Sequence, residues 1–192
     1  MISLSQVVPP AALDVLALVR DHLRLGDDTR SDGRLRDLLI PGAVSDIEAR
    51  TGRQLLTATW ELTLPWFPAV LELPRPPVSS VSSVKYLDDA GAEQTVDPSV
   101  YVVTAPTGPT AGSGRITLAP GQVWPVPTTR VDAVRVRFVN GYGATAAAVP
   151  AAILTALVLL VEAKFDEQAD DALERAASRL LAPFRWRREL PA

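Results

Sequence analysis

The spacing of apolar residues changes at the segment Thr59-Trp60-Glu61-Leu62-Thr63-Leu64. Before it, apolar residues recur every three or four positions, and within it they recur every second position. Trp60, Leu62 and Leu64 alternate with polar residues, and this period of two is typical of a half-buried β-strand. Turn-forming residues separate further predicted strands at 70–73, 81–87, 93–96, 100–103, 115–118 and 133–139. The sequence therefore predicts a large all-β region over about 57–143.

The residues before this region predict helices. Over 11–25, apolar residues recur at three- and four-residue steps after two prolines, which indicates a first helix. A second helix is predicted from Ser31 or Asp32 to Gly52, since these residue types favour helix ends. Pro41 lies inside it and should kink or split it, because proline lacks an amide donor and clashes with the preceding turn.

The residues after the β region return to the helical pattern. Pro150 suits a first helical turn, and 153–165 is apolar nearly all round, which predicts a helix in the core or in a subunit interface. A weaker helical pattern follows over 176–181. The sequence therefore predicts a single α+β domain over 1–192, in which N- and C-terminal helices, at 1–56 and 144–182, form a bundle.

Composition excludes several kinds of chemistry. The 192 residues contain no cysteine, and therefore no disulfide, catalytic thiolate or cysteine-bearing zinc site. His22 is the only histidine, which excludes a two-histidine metal site. The formal net charge of -3 provides no global basic field for nucleic acid. We therefore expect no enzyme, no cofactor and no metal site.

Three adjacent aspartate pairs are the remaining candidates for acid–base chemistry. A pair of carboxylates can hydrolyse glycosides, but Asp is also favoured in turns and at polar helix ends, where these pairs lie: Asp27-Asp28, Asp88-Asp89 and Asp170-Asp171. A structural role is therefore favoured for them. His22 lies within the first predicted helix, where we expect it to be solvated.

Four tryptophans leave a carbohydrate-binding face open as an alternative. We expect three of them to be buried in a β core, namely Trp60, Trp66 and Trp124. Membrane insertion is not expected, because the strongly apolar part of the uncharged stretch 144–161 spans about 14 Å of helix and a bilayer core about 30 Å. The N-terminal residues lack the pattern of a secretory signal, so we expect no export by that route.

The C-terminal tail, residues 183–192, combines aromatic and basic side chains. Trp186 stands among Arg185, Arg187 and Arg188, close behind Phe184. Arginine and tryptophan often anchor protein interfaces, and packing into the chain's own core is least expected near a terminus. The favoured interpretation is a docking tail for a partner protein. A nucleic-acid contact and a solvated helix end remain the alternatives.

An ordered set of short motifs runs through most of the chain: IEARTGRQL (47–55), TWEL (59–62), LPRPPV (73–78), VKYLD (84–88), DPSVY (97–101), GRITL (114–118), GQVWP (121–125), VRVRF (134–138), GYG (141–143) and VP (149–150). Over about residues 11–188 the chain resembles the head–tail connector, or adaptor, family of long-tailed phages and of phage-like gene transfer agents. It departs from that family at Pro41 and in the Gly- and Pro-rich segment 104–114, a predicted flexible loop.

The resemblance implies a structural adaptor that forms a ring, twelvefold to match the portal protein beneath which it lies. Such a ring extends the DNA channel without sequence-specific binding and docks the stopper or tail. The resemblance also implies a place at the head–tail interface of a virion or phage-like particle, after assembly in the host cytoplasm. In the family, the C-terminal tail generally reaches the portal. The residues of this chain at that position are Phe184, Arg185, Trp186, Arg187 and Arg188.

The residues themselves agree with such a role. A helix apolar nearly all round and prolines beside many strands suit a protein whose surfaces are completed by neighbouring copies. A channel wall without strong positive charge would let DNA slide. The alternative function is a non-catalytic carbohydrate- or DNA-binding module, and a hydrolase based on the aspartate pairs comes third.

Overall fold

The computed structural model describes residues 2–166 and 171–186. Helices and antiparallel sheets are both present, so the predicted α+β class is confirmed. The contacts divide the chain into two compact units. We call Met1–Pro10 with Thr57–Gly141 the β unit, and Ala11–Leu56 with Tyr142–Ala192 the helical unit. The prediction of a single domain over 1–192 stays a prediction.

The β unit consists of two antiparallel sheets. A five-stranded sheet has the order β1-β2-β8-β4-β5 and a three-stranded sheet the order β3-β7-β6. The strands are β1 (Ser3–Val8), β2 (Ala58–Leu64), β3 (Val70–Leu73), β4 (Val78–Leu87), β5 (Glu93–Thr95), β6 (Tyr101–Thr104), β7 (Gly114–Leu118) and β8 (Val134–Asn140). The strands predicted over 57–143 all form, with ends displaced by at most a few residues.

Alternation of apolar and polar residues explains how these strands bury one side. Leu62 and Leu64 of β2 are buried beside the central strand β8, and the same core contains Leu71 and Ile116 from the smaller sheet. An apolar side chain of this size contributes about 1.5–3 kcal/mol when fully buried. The period of two therefore predicts both the strands and the side they bury.

The N-terminal strand corrects one prediction. Residues 1–56 were assigned to helices, but Ser3–Val8 forms β1 and pairs antiparallel with β2, with Leu4 opposite Leu62. Five of the six residues of β1 are exposed and Leu4 is half-buried, so the stretch has no clear period of its own. The edge of β2, and not a local pattern, makes this stretch a strand.

The described part of the helical unit contains five α-helices: α1 (Leu16–His22), α2 (Asp32–Arg34), α3 (Ile40–Thr51), α4 (Ala151–Phe165) and α5 (Ala172–Leu181). A π-helical turn, Leu35–Leu39, joins α2 to α3, and a 3-10 turn, Ala182–Phe184, follows α5. The first helix is shorter than predicted, since α1 begins at Leu16 and the prediction began at residue 11.

The second predicted helix is not split at Pro41, because α2, the π-helical turn and α3 follow one another without a gap from Asp32 to Thr51. Pro41 is the second residue of α3, and it provides no amide donor there. The turn before it is π-helical, and the amide of Ile40 donates to the carbonyl of Leu35, five residues earlier. Local π geometry of this kind lets a helical path continue through the proline.

Helix α4 is buried along most of its length, as its apolar sequence predicts. Ile153, Leu157 and Leu160 are fully buried. They belong to a hydrophobic core that also contains Val19 of α1, Leu35 of the π turn and buried residues of α3 and α5, such as Ile47 and Leu181. Residues from both ends of the chain thus share this core.

Candidate interaction site at the C-terminal segment

The C-terminal end of α3 forms a contact site for Trp186, and we call this contact site the seat. Helix α3 ends at Thr51, and Gly52 follows with a left-handed φ of 68° while its amide donates to the carbonyl of Glu48. Glycine adopts this conformation at little cost and often ends helices. A Cβ atom on Gly52 would lie 3.2 Å from the carbonyl oxygen of Trp186 and 3.3 Å from its Cε3 atom. The missing side chain therefore lets Trp186 approach closely.

Two hydrogen bonds hold the C-terminal segment, defined here as residues 182–186, on this seat. The amide of Trp186 donates to the carbonyl of Thr51 at 2.7 Å. The Nε atom of Arg53 donates to the carbonyl of Phe184 at 2.5 Å. We call Thr51, Gly52 and Arg53 the anchor.

Arg53 is an unusual part of the anchor, because its side chain is charged and only 2% exposed. Burying a charge is costly unless partners compensate it. Besides the carbonyl of Phe184, its guanidinium hydrogen-bonds the hydroxyl of Tyr142. Burial raises the pKa of Tyr142, and Arg53 opposes that rise. The buried charge thus connects the end of α3 with two later parts of the chain.

Glu48 and Arg50 extend this polar network along α3. A carboxylate oxygen of Glu48 accepts from the Gln54 side chain at 2.8 Å and from the Leu55 amide at 2.9 Å. Arg50 donates to Asp46 at 2.7 Å and to the hydroxyl of Ser178 on α5 at 3.1 Å. Its bond to Asp46 raises the pKa of Arg50. Much of the motif IEARTGRQL thus organises the chain around the anchor.

The predicted tail residues divide into separate groups. Phe184 is 7% exposed and belongs to the helical core, so the expectation that the tail lies outside the core is wrong for this residue. Its place follows from the 3-10 turn that continues α5 and from the bond of its carbonyl to Arg53. Arg185 is exposed and Trp186 is half-buried. Arg187 and Arg188 lie outside the described residues.

The candidates for chemistry take structural roles. His22 lies at the end of α1, partly exposed, and its Nε2 atom is 2.7 Å from a carboxylate oxygen of Glu162. Asp28 pairs with Arg30, and Asp88 accepts from the side chain of Gln94 and from the amide of Ala92. These bonds lower the pKa of both aspartates. Asp170 lies outside the described residues, and Asp171 precedes α5.

The tryptophans of the β unit differ from the expected pattern. Trp124 stacks on Phe67, with ring centroids 4.5 Å apart, and Trp60 lies 4.5 Å from the guanidinium carbon of Arg75. Both are half-buried. Trp66 is 64% exposed, so the expectation that it is buried is wrong. It follows Pro65 just beyond the end of β2, where the strand's alternation no longer applies.

The part of the chain that the structure describes contains no group of three or more His, Asp or Glu side chains able to hold a metal ion. Within the same residues, no helix combines the length and the apolar character required to span a bilayer.

No protein-family model and no curated protein matches the chain. Solved structures of gene transfer agent (GTA) particles do. A chain in the neck of an empty GTA particle computed with C6 symmetry is 26% identical, with a TM-score of 0.77 over 100% of this chain and 98% of that chain. The neck of the native particle computed with C12 symmetry matches at 26% identity and a TM-score of 0.76, with the same coverage.

A chain in the virion of the native GTA particle also matches, at 26% identity and a TM-score of 0.78 over 98% of both chains. The likeness spans both units and nearly the whole of the matched chains. It confirms the predicted resemblance to connector proteins of phage-like gene transfer agents. It also supports the predicted location at the head–tail interface of such a particle.

Proposed function

We propose that this chain is a structural protein of the neck of a phage-like particle. The observation that carries the proposal is the full-length likeness to chains in GTA necks, which includes the helical and the β unit alike. Absence of a catalytic constellation from the sequence supports a non-enzymatic role. The work of such a subunit is contact with other proteins.

More specifically, we propose that copies form a ring, twelvefold, beneath the portal protein, and that the ring extends the DNA channel and docks the stopper or tail. The C12 and C6 symmetry of the matched neck structures supports a repeated subunit. A ring requires one contact repeated between two different surfaces of the same chain until it closes.

DNA would pass through this ring without sequence-specific binding. Many basic side chains of the described residues already pair with carboxylates, which reduces the positive field available to phosphates: Arg20–Asp32, Arg30–Asp28, Arg50–Asp46, Lys85–Glu93, Arg130–Asp132 and Arg137–Glu61. Affinity for DNA backbone depends on cations that neutralise phosphates. The alternative of a DNA- or carbohydrate-binding module therefore has weaker support, although Trp66 is exposed.

For the tail we propose a division of labour. Phe184 fixes the segment in the helical core, and the residues that follow it, Arg185, Trp186, Arg187 and Arg188, contact the portal. Arginine and tryptophan suit such a contact, because both can bury apolar surface and still donate hydrogen bonds. The seat at Gly52 then determines where the tail leaves the core.

For the architecture we propose that the helices of the two chain ends form a bundle and that both units belong to one domain. The chain passes between the units at residues 10/11, 56/57 and 141/142, so neither unit is one continuous stretch. Such interleaving favours joint folding. A single unfolding transition, seen equally by helix and tryptophan signals, is expected; two separated transitions would contradict it.

Electron microscopy of particles that carry the chain tests the ring. The chain should appear as a symmetric ring between the portal and the tail. Finding it in the capsid or the tail tube, or absent from the particle, would refute the proposal.

Portal binding is tested with a truncation after Trp186, because this variant retains Phe184 and the anchor. We expect unchanged helical content and at least a tenfold loss of portal affinity. The matched control is Arg175→Ala, another exposed arginine of the helical unit, which should bind normally. Undiminished binding by the truncated chain would show that residues 187–192 do not reach the portal.

A further inference from the structure

The two sheets of the β unit present four edges with different chemistry. In the described residues, β1 and β5 are the edges of the five-stranded sheet, and β3 and β6 are the edges of the smaller one. An edge strand exposes unpaired amide and carbonyl groups on which another strand can pair. Proteins protect such edges by keeping them short or by placing charges and prolines on them.

The edges β5 and β3 are protected in this way. Strand β5 has three residues, and Glu93 on it accepts a hydrogen bond from Lys85 at 2.6 Å. Strand β3 carries Glu72, which accepts from the hydroxyl of Ser113 at 2.5 Å. A strand laid along either edge would meet a carboxylate.

The edges β1 and β6 lack this protection. Neither Ser-Leu-Ser-Gln-Val-Val nor Tyr-Val-Val-Thr contains a charge or a proline. Val7 and Val8 of β1 are 40% and 53% exposed, and Val102 and Val103 of β6 are 46% and 37% exposed. No strand within the described residues pairs with the outer side of β1 or β6. These are uncharged, valine-containing edges, the type on which a strand from another chain can add.

We propose that β1 of one copy pairs with β6 of the next copy. The proposal rests on the proposed ring, for which it supplies the repeated contact. Pairing of two different edges leaves a free β1 at one end and a free β6 at the other, so addition continues until the ring closes. Pairing of β1 with β1 would satisfy two copies and end there. Cyclic symmetry such as that of the matched necks requires a contact between two different surfaces, as in the pairing of β1 with β6.

Cysteine cross-linking tests this pairing cleanly, because the natural chain contains no cysteine. Two neighbouring positions in each strand sample both faces of the joined sheet: Ser5→Cys or Gln6→Cys in β1, and Val102→Cys or Val103→Cys in β6. Each of the four double variants is assembled into necks and oxidised. At least one combination should form a ladder of covalent oligomers that reaches the full ring, since disulfides require Cβ atoms about 4 Å apart.

The controls separate this contact from others. Each single variant should stay monomeric on a denaturing gel, and a mixture of a β1 variant with a β6 variant should stop at dimers. The double variant Gln94→Cys with Val103→Cys, which uses the protected edge β5, should give no ladder. Dimers from a β1 variant alone would show pairing of β1 with itself and would overturn the proposal.

A second measurement does not depend on disulfide geometry. Val7→Lys and Val102→Lys place a charge on each uncharged edge and should each reduce ring assembly at least tenfold. Gln94→Lys on β5 should leave it unchanged. Intact rings from both edge variants would overturn the pairing but leave the proposed function standing. Microscopy that finds no ring containing the unaltered chain would refute both.

Discussion

The helical unit contains a buried charged side chain, Arg53, whereas no charged residue described in the β unit is buried. At the end of α3 the helical unit buries Arg53 and, next to it, the polar residues Thr51 and Gln54. In the β unit, the ion pair of Arg137 with Glu61 lies on the surface, with 46% and 21% of the side chains exposed. The comparison shows that the helical unit uses a buried charge to hold a chain end, whereas the β unit uses charge to cover a sheet.

The energetic consequence follows from the surroundings of each charge. Removing a buried charged group, or one of its hydrogen-bond partners, leaves the remaining buried polar group without a partner. This costs several kcal/mol. Exposed ion pairs contribute about 0–1 kcal/mol, since water and salt compete with them. Substitutions around the anchor should therefore destabilise the protein far more than those of the surface pairs.

Phe184→Ala should have the largest effect. It removes a nearly buried aromatic ring from the helical core, and such truncations cost about 3–5 kcal/mol. Urea unfolding followed by circular dichroism measures the loss. Pro183→Ala, a change at the exposed neighbour, is the control and should alter the free energy of unfolding by less than about 0.5 kcal/mol. A loss below about 1 kcal/mol for Phe184→Ala would mean that the segment is not part of the core.

Arg53→Met should rank second. It keeps most of the side-chain volume but removes the donors to the carbonyl of Phe184 and the hydroxyl of Tyr142. We expect a loss of about 3 kcal/mol in the free energy of unfolding, because the carbonyl of the buried Phe184 and the hydroxyl of the half-buried Tyr142 lose a charged partner. Greater stability in this variant would show that the burial of the charge outweighs its hydrogen bonds.

Gly52→Ala should come third, with a loss of about 2 kcal/mol. Part of this cost comes from the left-handed φ and part from the contact with Trp186. Gly91→Ala in the β unit is the matched control, since Gly91 has a φ of 78° and open space around it. It should cost about 1 kcal/mol. Equal losses in the two variants would be evidence against the close seat for Trp186.

Arg137→Met should have the smallest effect. The loss of its surface pair with Glu61 should change the free energy of unfolding by about 0.5 kcal/mol, and 1 M salt should abolish the difference. This variant is the counterpart of Arg53→Met in the other unit. A loss as large as that of Arg53→Met would contradict the conclusion that the buried charge contributes more to stability than the surface ion pair.

Local patterns in the sequence predicted much of the fold. Alternation over 59–64 predicted β2, and the apolar run over 153–165 predicted α4. Each of these signals lies within one element, where burial and backbone geometry depend on neighbours a few residues away. The candidate site was harder to predict, because its parts are about 130 residues apart in sequence.

Phe184 illustrates this limit. In the sequence it reads as part of a tail with Arg185 and Trp186, yet it completes the helical core. The available signal was the motif around Arg53, whose arginine follows a helix-ending glycine. Nothing in its spacing indicates that this charge is buried, or that a carbonyl near the C-terminus compensates it.

Local periodicity and residue type were sufficient to predict the α+β class, most strands and helices and the lack of cysteine-based chemistry. Only the tertiary structure decided that Ser3–Val8 is a strand, that Phe184 is core and that Arg53 is buried. The physical reason is the same in each case. Burial and hydrogen bonding at these positions come from partners distant in sequence, and no local pattern records them.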